Sequence, residues 1–197
     1  MSSPEAGTAA SSAVDDGGAE TWWPHPDGYA MDLPAGWSGV AFERGQADSL
    51  VSAVASTMPG LANRMDDVLD GSKVRVSAVA ADPTAAGKVA PVLIVLAQPT
   101  EGMRAREVKS HVRDQIAGLP GLVNEPISPH DVLLNTAKGV RYDYRIDDPD
   151  VGELRVRSYL FRFGRQAYLV NFIASADVAD EAEAIFDEIA NSLRFGV

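Results

Sequence analysis

Residues 140–173 spell out three strands together with their registers, and no other stretch limits the fold as much. Val140, Tyr142, Tyr144 and Ile146 alternate with Arg141, Asp143 and Arg145. Leu154, Val156, Ser158 and Leu160 alternate with Arg155, Arg157, Tyr159 and Phe161. A period of two is the signature of a strand with two distinct faces. The cluster Asp147-Asp148-Pro149-Asp150-Val151-Gly152 between the two runs is turn chemistry. Matching apolar to apolar puts Ile146 opposite Leu154 and Tyr144 opposite Val156, which sets Asp143 across from Arg157. Gly164-Arg165 then predicts a two-residue hairpin loop, pairing Phe161 with Tyr168, Tyr159 with Val170 and Arg157 with Phe172. On the opposite face the same register pairs Leu160 with Leu169, Ser158 with Asn171 and Val156 with Ile173. The third strand is thus apolar on both sides, so the sheet needs a covering layer on each face.

The rest of the chain supplies those layers. Tyr29–Leu33 reads as a strand stopped by Pro34, and Gly36-Trp37 turns the chain. Ala47, Leu50, Val51, Val54, Ala55 and Met58 make one helical stripe. Pro59 breaks it and opens a second helix ending at Gly71. Residues 73–81 alternate as a strand, and Val92–Leu96 is apolar throughout, as a central strand is. Residues 104–118 predict an amphipathic helix on Val108, Val112, Ile116 and Leu119, and a short strand follows at 132–134. A last helix over 177–193, with Asp177 as its N-cap, turns Val178, Ala182, Ile185, Phe186, Ile189 and Leu193 inward. The expected fold class is α+β, an antiparallel sheet sandwiched between helices. Residues 1–21 are rich in Ala, Ser, Gly and acid and predict a disordered tail. A single domain is expected over 22–197.

Three segments resemble PsbP-like proteins. The first is Tyr29-Ala-Met-Asp-Leu-Pro-Ala-Gly-Trp37, similar to that family's opening strand with its Pro-x-Gly-Trp turn. The second is the strand Gln166-Ala-Tyr-Leu-Val-Asn-Phe-Ile173. The third is Ile189-Ala-Asn-Ser-Leu-Arg-Phe195, similar to the closing segment in which a serine sits between apolar positions. The resemblance spans roughly residues 27–197 and implies a PsbP-like α/β/α sandwich. The superfamily includes the photosystem II extrinsic protein, a Ran-binding import factor, DcrB-type and LpqN-type lipoproteins and secretion chaperones. Its members are mostly non-enzymatic adaptors, which implies an accessory role. High Ala and a preference for Arg over Lys favour its bacterial branches. No functional residue of the family maps onto a motif of this chain, and the lipid-accepting cysteine of the lipoprotein branches is absent.

The chemistry of the side chains narrows the function by exclusion. The chain has no cysteine among its 197 residues, so thiolate catalysis, thiolate metal sites and disulfides are ruled out. His25, His111 and His130 stand in no metal or catalytic spacing. Asp82–Lys88 lacks the first glycine of a phosphate loop and has Val89 where the magnesium-binding hydroxyl belongs. Asp147, Asp148 and Asp150 lack the spacing and the glutamate of a calcium loop. No catalytic residue, metal or cofactor is therefore expected, and no enzyme activity. The longest apolar run, Val92–Ala97, is far too short to cross a bilayer. Two readings of location stay open. The chain is cytoplasmic if Met1 is its native start, and of the cell envelope or secreted if an export signal preceded it.

Net charge is −11, from 17 Lys and Arg against 28 Asp and Glu, which argues against nucleic acid as a partner. The excess is local. Residues 1–28 carry five acids and no Lys or Arg, the last helix carries six acids and no base, and the remainder balances at 17 of each. The sheet between them is arginine-rich. Arg141, Arg145, Arg155 and Arg157 share a face with Tyr159, Phe161, Tyr168 and Phe172. Left uncovered, that face is a binding surface for a partner peptide or an anionic group. Covered by a helix, it leaves the arginines at the rim, paired with Asp143 or the acidic helix. Trp22-Trp23 likewise reads either as a segment docked on the domain edge or as an exposed partner-binding patch. The leading expectation is a non-enzymatic module that binds another protein. The alternative is a binder of a lipid or metabolite in a cavity between sheet and helices.

Overall fold

The structure is a computed structural model that describes residues 21–25, 28–35, 37–42, 75–80, 91–100, 102–123, 127–134, 137–149 and 152–196. Outside the described residues lie the predicted tail up to residue 20, the helices over 46–70 and the loop at 82–88. Among the described residues ten strands and two helices follow in order: β1 Thr21–His25, β2 Tyr29–Leu33, β3 Ser38–Phe42, β4 Arg75–Ala80, β5 Val92–Pro99, α1 Ala105–Ala117, β6 His130–Leu134, β7 Ala137–Asp148, β8 Gly152–Phe163, β9 Gln166–Ser175, α2 Ala179–Ser192 and β10 Arg194–Phe195. Thr21, placed above at the end of the tail, is the first residue of β1.

Seven strands form one antiparallel sheet in the order β3-β4-β5-β9-β8-β7-β6. The registers read from alternation hold. Ile146 faces Leu154, Asp143 faces Arg157, Phe161 faces Tyr168 and Ser158 faces Asn171. Gly164 opens the β8–β9 loop at φ +57°, a conformation that costs a residue without Cβ little.

Each face of this sheet is buried against a different layer. On one face α1 lays Val108, Val112 and Ile116 on Val140, Tyr142, Ile146 and Leu160. On the other, Phe172, Val170 and Tyr159 pack under Ala182, Phe186 and Ile189 of α2. The two-sided apolar character of β9 is the cause. Val170 and Phe172 are fully buried on the α2 side and Ile173 on the α1 side.

A second, three-stranded sheet, β1-β2-β10, lies in the α2 layer. Its pairing joins the two ends of the described chain, since Phe195 faces Tyr29 and Arg194 faces Ala30. The Asp32 amide donates to Ser192 Oγ at 2.8 Å, and Ser192 Oγ donates to the Ile189 carbonyl at 2.8 Å. The opening and closing segments that carry the family resemblance thus touch each other through that serine. Trp37, beyond the Pro34 turn, meets Phe186 edge-on at 6.4 Å.

The start of α2 differs from expectation. Its N-cap is Val178, without a side-chain cap, and not Asp177. β9 runs to Ser175, whose carbonyl accepts from the Val178 amide at 3.1 Å. That turn uses up Asp177 before the helix can begin.

Candidate functional site

The arginine-bearing face of β7 and β8 is the covered one. Tyr159, Phe161, Tyr168 and Phe172 are all buried, because α2 and the small sheet lie over them. Arg157 is the centre of the polar seam at the rim. Its Nε donates to Asp143 Oδ1, its Nη1 to Asp187 Oδ1 and its Nη2 to Glu183 Oε2, each at 2.9 Å. Its side chain is 13% exposed. Burial alone would lower the guanidinium's pKa, but Asp143 and Asp187 outweigh it and hold the value above the usual range. Tyr159 donates to Asp187 at 2.7 Å, and burial followed by that carboxylate pushes its hydroxyl well above the ordinary tyrosine range.

The other arginines on this face are also engaged. Arg141 pairs with Asp143 at 2.8 Å, Arg145 with Glu153 at 3.4 Å, and Arg155 with Asp180 of α2. The acidic surface of the last helix therefore answers the arginines of the sheet. Trp22 and Trp23 fall in β1, opposite Asp32 and Met31. The placement of their rings lies outside what the structure describes.

The opposite face holds a buried polar row. Ser158 Oγ donates to Asn171 Oδ1 at 2.6 Å and shares a bond with Tyr144 Oη at 3.2 Å. All three residues are buried, and the bonds offset the cost of placing polar atoms in an apolar layer. Burial pushes the Tyr144 hydroxyl up to about 12, against the opposing influence of Ser158. A folded value above the ordinary 10.0 means that the fold favours the neutral phenol. Its contribution is complete below that value and is lost as pH rises toward the folded one, by about 2–3 kcal/mol in all. Urea unfolding followed between about pH 10 and 12 will show this fall, and Tyr144→Phe will reduce it. An identical fall in the variant would remove Tyr144 as its source.

Among the described residues no group of three or more His, Asp or Glu is arranged to hold a metal. His111 on α1 and His130 on β6 are exposed. No helix of the described residues is long and apolar enough to cross a membrane.

Sequence reasoning missed an open cleft. Between the first turns of α1 and the β6 edge of the sheet lies a cleft of about 510 Å³. Val108, Val140 and Leu160 form its apolar floor, and Leu133 of β6 stands beside it 74% exposed. Lys109, Lys138, Arg162 and Asp131 supply its charges. Lys109 donates to Asp131 at 2.8 Å across the cleft, tying α1 to β6. Lys138 and Arg162 have no ion-pair partner among the described residues. The registers explain how they meet. Leu133 faces Lys138, and Lys138 and Arg162 stand one step beyond the last β7–β8 pair, Gly139 and Phe161. The signal was present in the sequence, since extending the alternation two residues back from Val140 would have placed Lys138 beside Arg162.

No protein-family model matches the chain, and comparison with curated proteins finds no sequence match. Solved structures do match. The PsbP protein of Synechocystis sp. PCC 6803 (CyanoP) superposes with a TM-score of 0.55 at 15% identity, covering 96% of this chain and 98% of that one. LpqN of Mycobacterium tuberculosis, described as involved in cell envelope biogenesis, gives a TM-score of 0.55 at 11% identity, over 92% of this chain and 93% of that one. With its antiparallel sheet held between layers and its first and last segments joined through Ser192, this chain has the PsbP-like fold.

Proposed function

We propose that this chain is a non-enzymatic accessory module that binds another protein along β6. The fold it shares with CyanoP and LpqN is compatible with an accessory role but does not by itself assign one. The observation that carries the reading is the β6 edge. Among the described residues β6 pairs with β7 alone and ends the seven-stranded sheet. An edge strand presents unpaired backbone donors and acceptors, and proteins ordinarily shield it. Here the strand instead exposes Leu133 next to an apolar cleft. An extended segment added to such an edge gains main-chain hydrogen bonds, while its alternate side chains enter the adjacent pocket.

A photo-crosslinking residue placed at Leu133 tests this in the native host. One at Gln115, exposed on α1, serves as the control. The expected result is one dominant protein trapped from position 133 and not from 115, with the crosslinks mapping to one short segment. No protein product, or the same products from both positions, overturns the reading.

A second reading is a small-ligand site. The cleft lies between helix and sheet, and its volume of about 510 Å³ falls within the size range of such sites. A thermal shift produced by a lipid or metabolite, and abolished by filling the cleft with Val140→Phe, is its expected result.

A further inference from the structure

The cleft's charge is opposite to that of the molecule. The chain carries −11, yet the cleft is lined by Lys109, Lys138 and Arg162 against Asp131 alone. Asp131 is already paired with Lys109. That leaves Lys138 and Arg162, two like charges on one face of neighbouring strands, both exposed and neither paired among the described residues. Like charges set side by side on a sheet destabilise each other, and an anion placed near both relieves that repulsion. Around them the surface is aliphatic, from Leu133 through Val140 to Leu160.

We infer that the segment received at β6 is acidic and aliphatic, with carboxylates and branched apolar side chains two positions apart so that both lie on one face of the added strand. The inference rests on the docking reading above and specifies its partner. In a strand added to β6, every second side chain lies on the face that carries Leu133 and Asp131. Aliphatic side chains on that face extend the floor formed by Leu133, Val140 and Leu160. Carboxylates two positions along on the same face reach toward the long side chain of Lys138 on β7, and Arg162, one strand further in, adds to the positive field they meet, while Asp131 disfavours an acid at the other end of β6. The cations fix register and sign, and the backbone and aliphatic contacts supply most of the affinity. A basic segment would set its charges against two cations, which makes the choice of partner a matter of repulsion as much as attraction.

The test is fluorescence anisotropy on the full chain with two labelled heptapeptides that have threonine at positions 2, 4 and 6, one with leucine at 1 and 5 and glutamate at 3 and 7, the other with lysine in place of glutamate. The glutamate peptide is expected to bind about tenfold more tightly, and the preference to fall as salt rises. In the double variant Lys138→Glu/Arg162→Glu the preference is expected to vanish or reverse. Both positions are exposed, and a urea unfolding midpoint within error of the parent will show that the fold is kept. Equal binding of the two peptides, or a preference untouched by the double variant, overturns the inference. If crosslinking at Leu133 still traps a protein in that case, the docking reading stands and only its chemistry is refuted. If decanoate displaces the glutamate peptide and position 133 traps no protein, both fail and the cleft belongs to a small amphiphile.

Discussion

Phe172→Ala will cost about 3–5 kcal/mol of folding stability, against a total of about 5–15 kcal/mol for a domain. Phe172 is fully buried at the centre of β9, on the face covered by α2. Its ring centroid lies 4.8 Å from that of Phe186 on α2 and 5.9 Å, edge-on, from that of Tyr159 on β8. Leu93 of β5 is its cross-strand neighbour. Removing the ring therefore opens a cavity where helix and two strands meet, and the backbone of a central strand cannot move to fill it. Phe172→Leu keeps most of the volume and should cost about 1–2 kcal/mol. Urea unfolding is the measurement, and Trp37, edge-on to Phe186, reports on this layer by fluorescence. A loss below about 1.5 kcal/mol for the alanine variant would show that the layer is not close-packed around Phe172.

The same residues show why some of this fold can be read from sequence and some cannot. β7, β8 and β9 are joined by short turns, so their alternation and registers are local and all became legible together. β2 was legible from Tyr29 to Leu33, but its partners were not. β1 contains Pro24, which obscures a strand pattern of only five residues, and β10 is two residues long. Both are strands only because the two ends of the domain come together, as Phe195 opposite Tyr29 shows. The arginine face was legible as a choice between open and covered. The covering depended on how α2 packs, which a strand pattern does not contain. The cleft was hidden for a third reason. Leu133, Lys138 and Arg162 are each ordinary surface residues, and only the row running across β6, β7 and β8 makes them neighbours. Lys138 falls before the point where the alternation of β7 becomes obvious, and a strand taken to begin at Val140 stops two residues short of it.

Replacing Arg157 with methionine should be costly even though the new side chain fills nearly the same space. The guanidinium holds Asp143, Glu183 and Asp187, bringing β7, β8 and α2 to one point. Without it Asp187 loses its cation, Glu183 keeps only the more distant Arg155 and Asp143 keeps Arg141, so negative charge is left in excess at the edge of an apolar layer, with the Tyr159 hydroxyl still donating to Asp187. Removing one partner of a buried ion pair costs about 3–5 kcal/mol. Here Asp143, Glu183 and Asp187 are 38%, 41% and 49% exposed. Water therefore screens part of the repulsion, and about 2–3 kcal/mol is the expected loss. Arg157→Lys will recover little of it, since one ammonium cannot direct donors at three carboxylates in a plane. The decisive comparison is Arg157→Met with Glu183→Gln and Asp187→Asn added. If the cost arises from stranded charge, those two changes will restore more than half of it, although each removes a partner of the original network. If they add to the loss instead, Arg157 stabilises the domain by packing its stem against the layer under α2, and the network is incidental. The first outcome gives the acidic face of α2 a structural purpose, which is to close the helix over the arginines of the sheet. With that face occupied internally, Lys138 and Arg162, which have no ion-pair partner among the described residues, remain for the acidic segment proposed above.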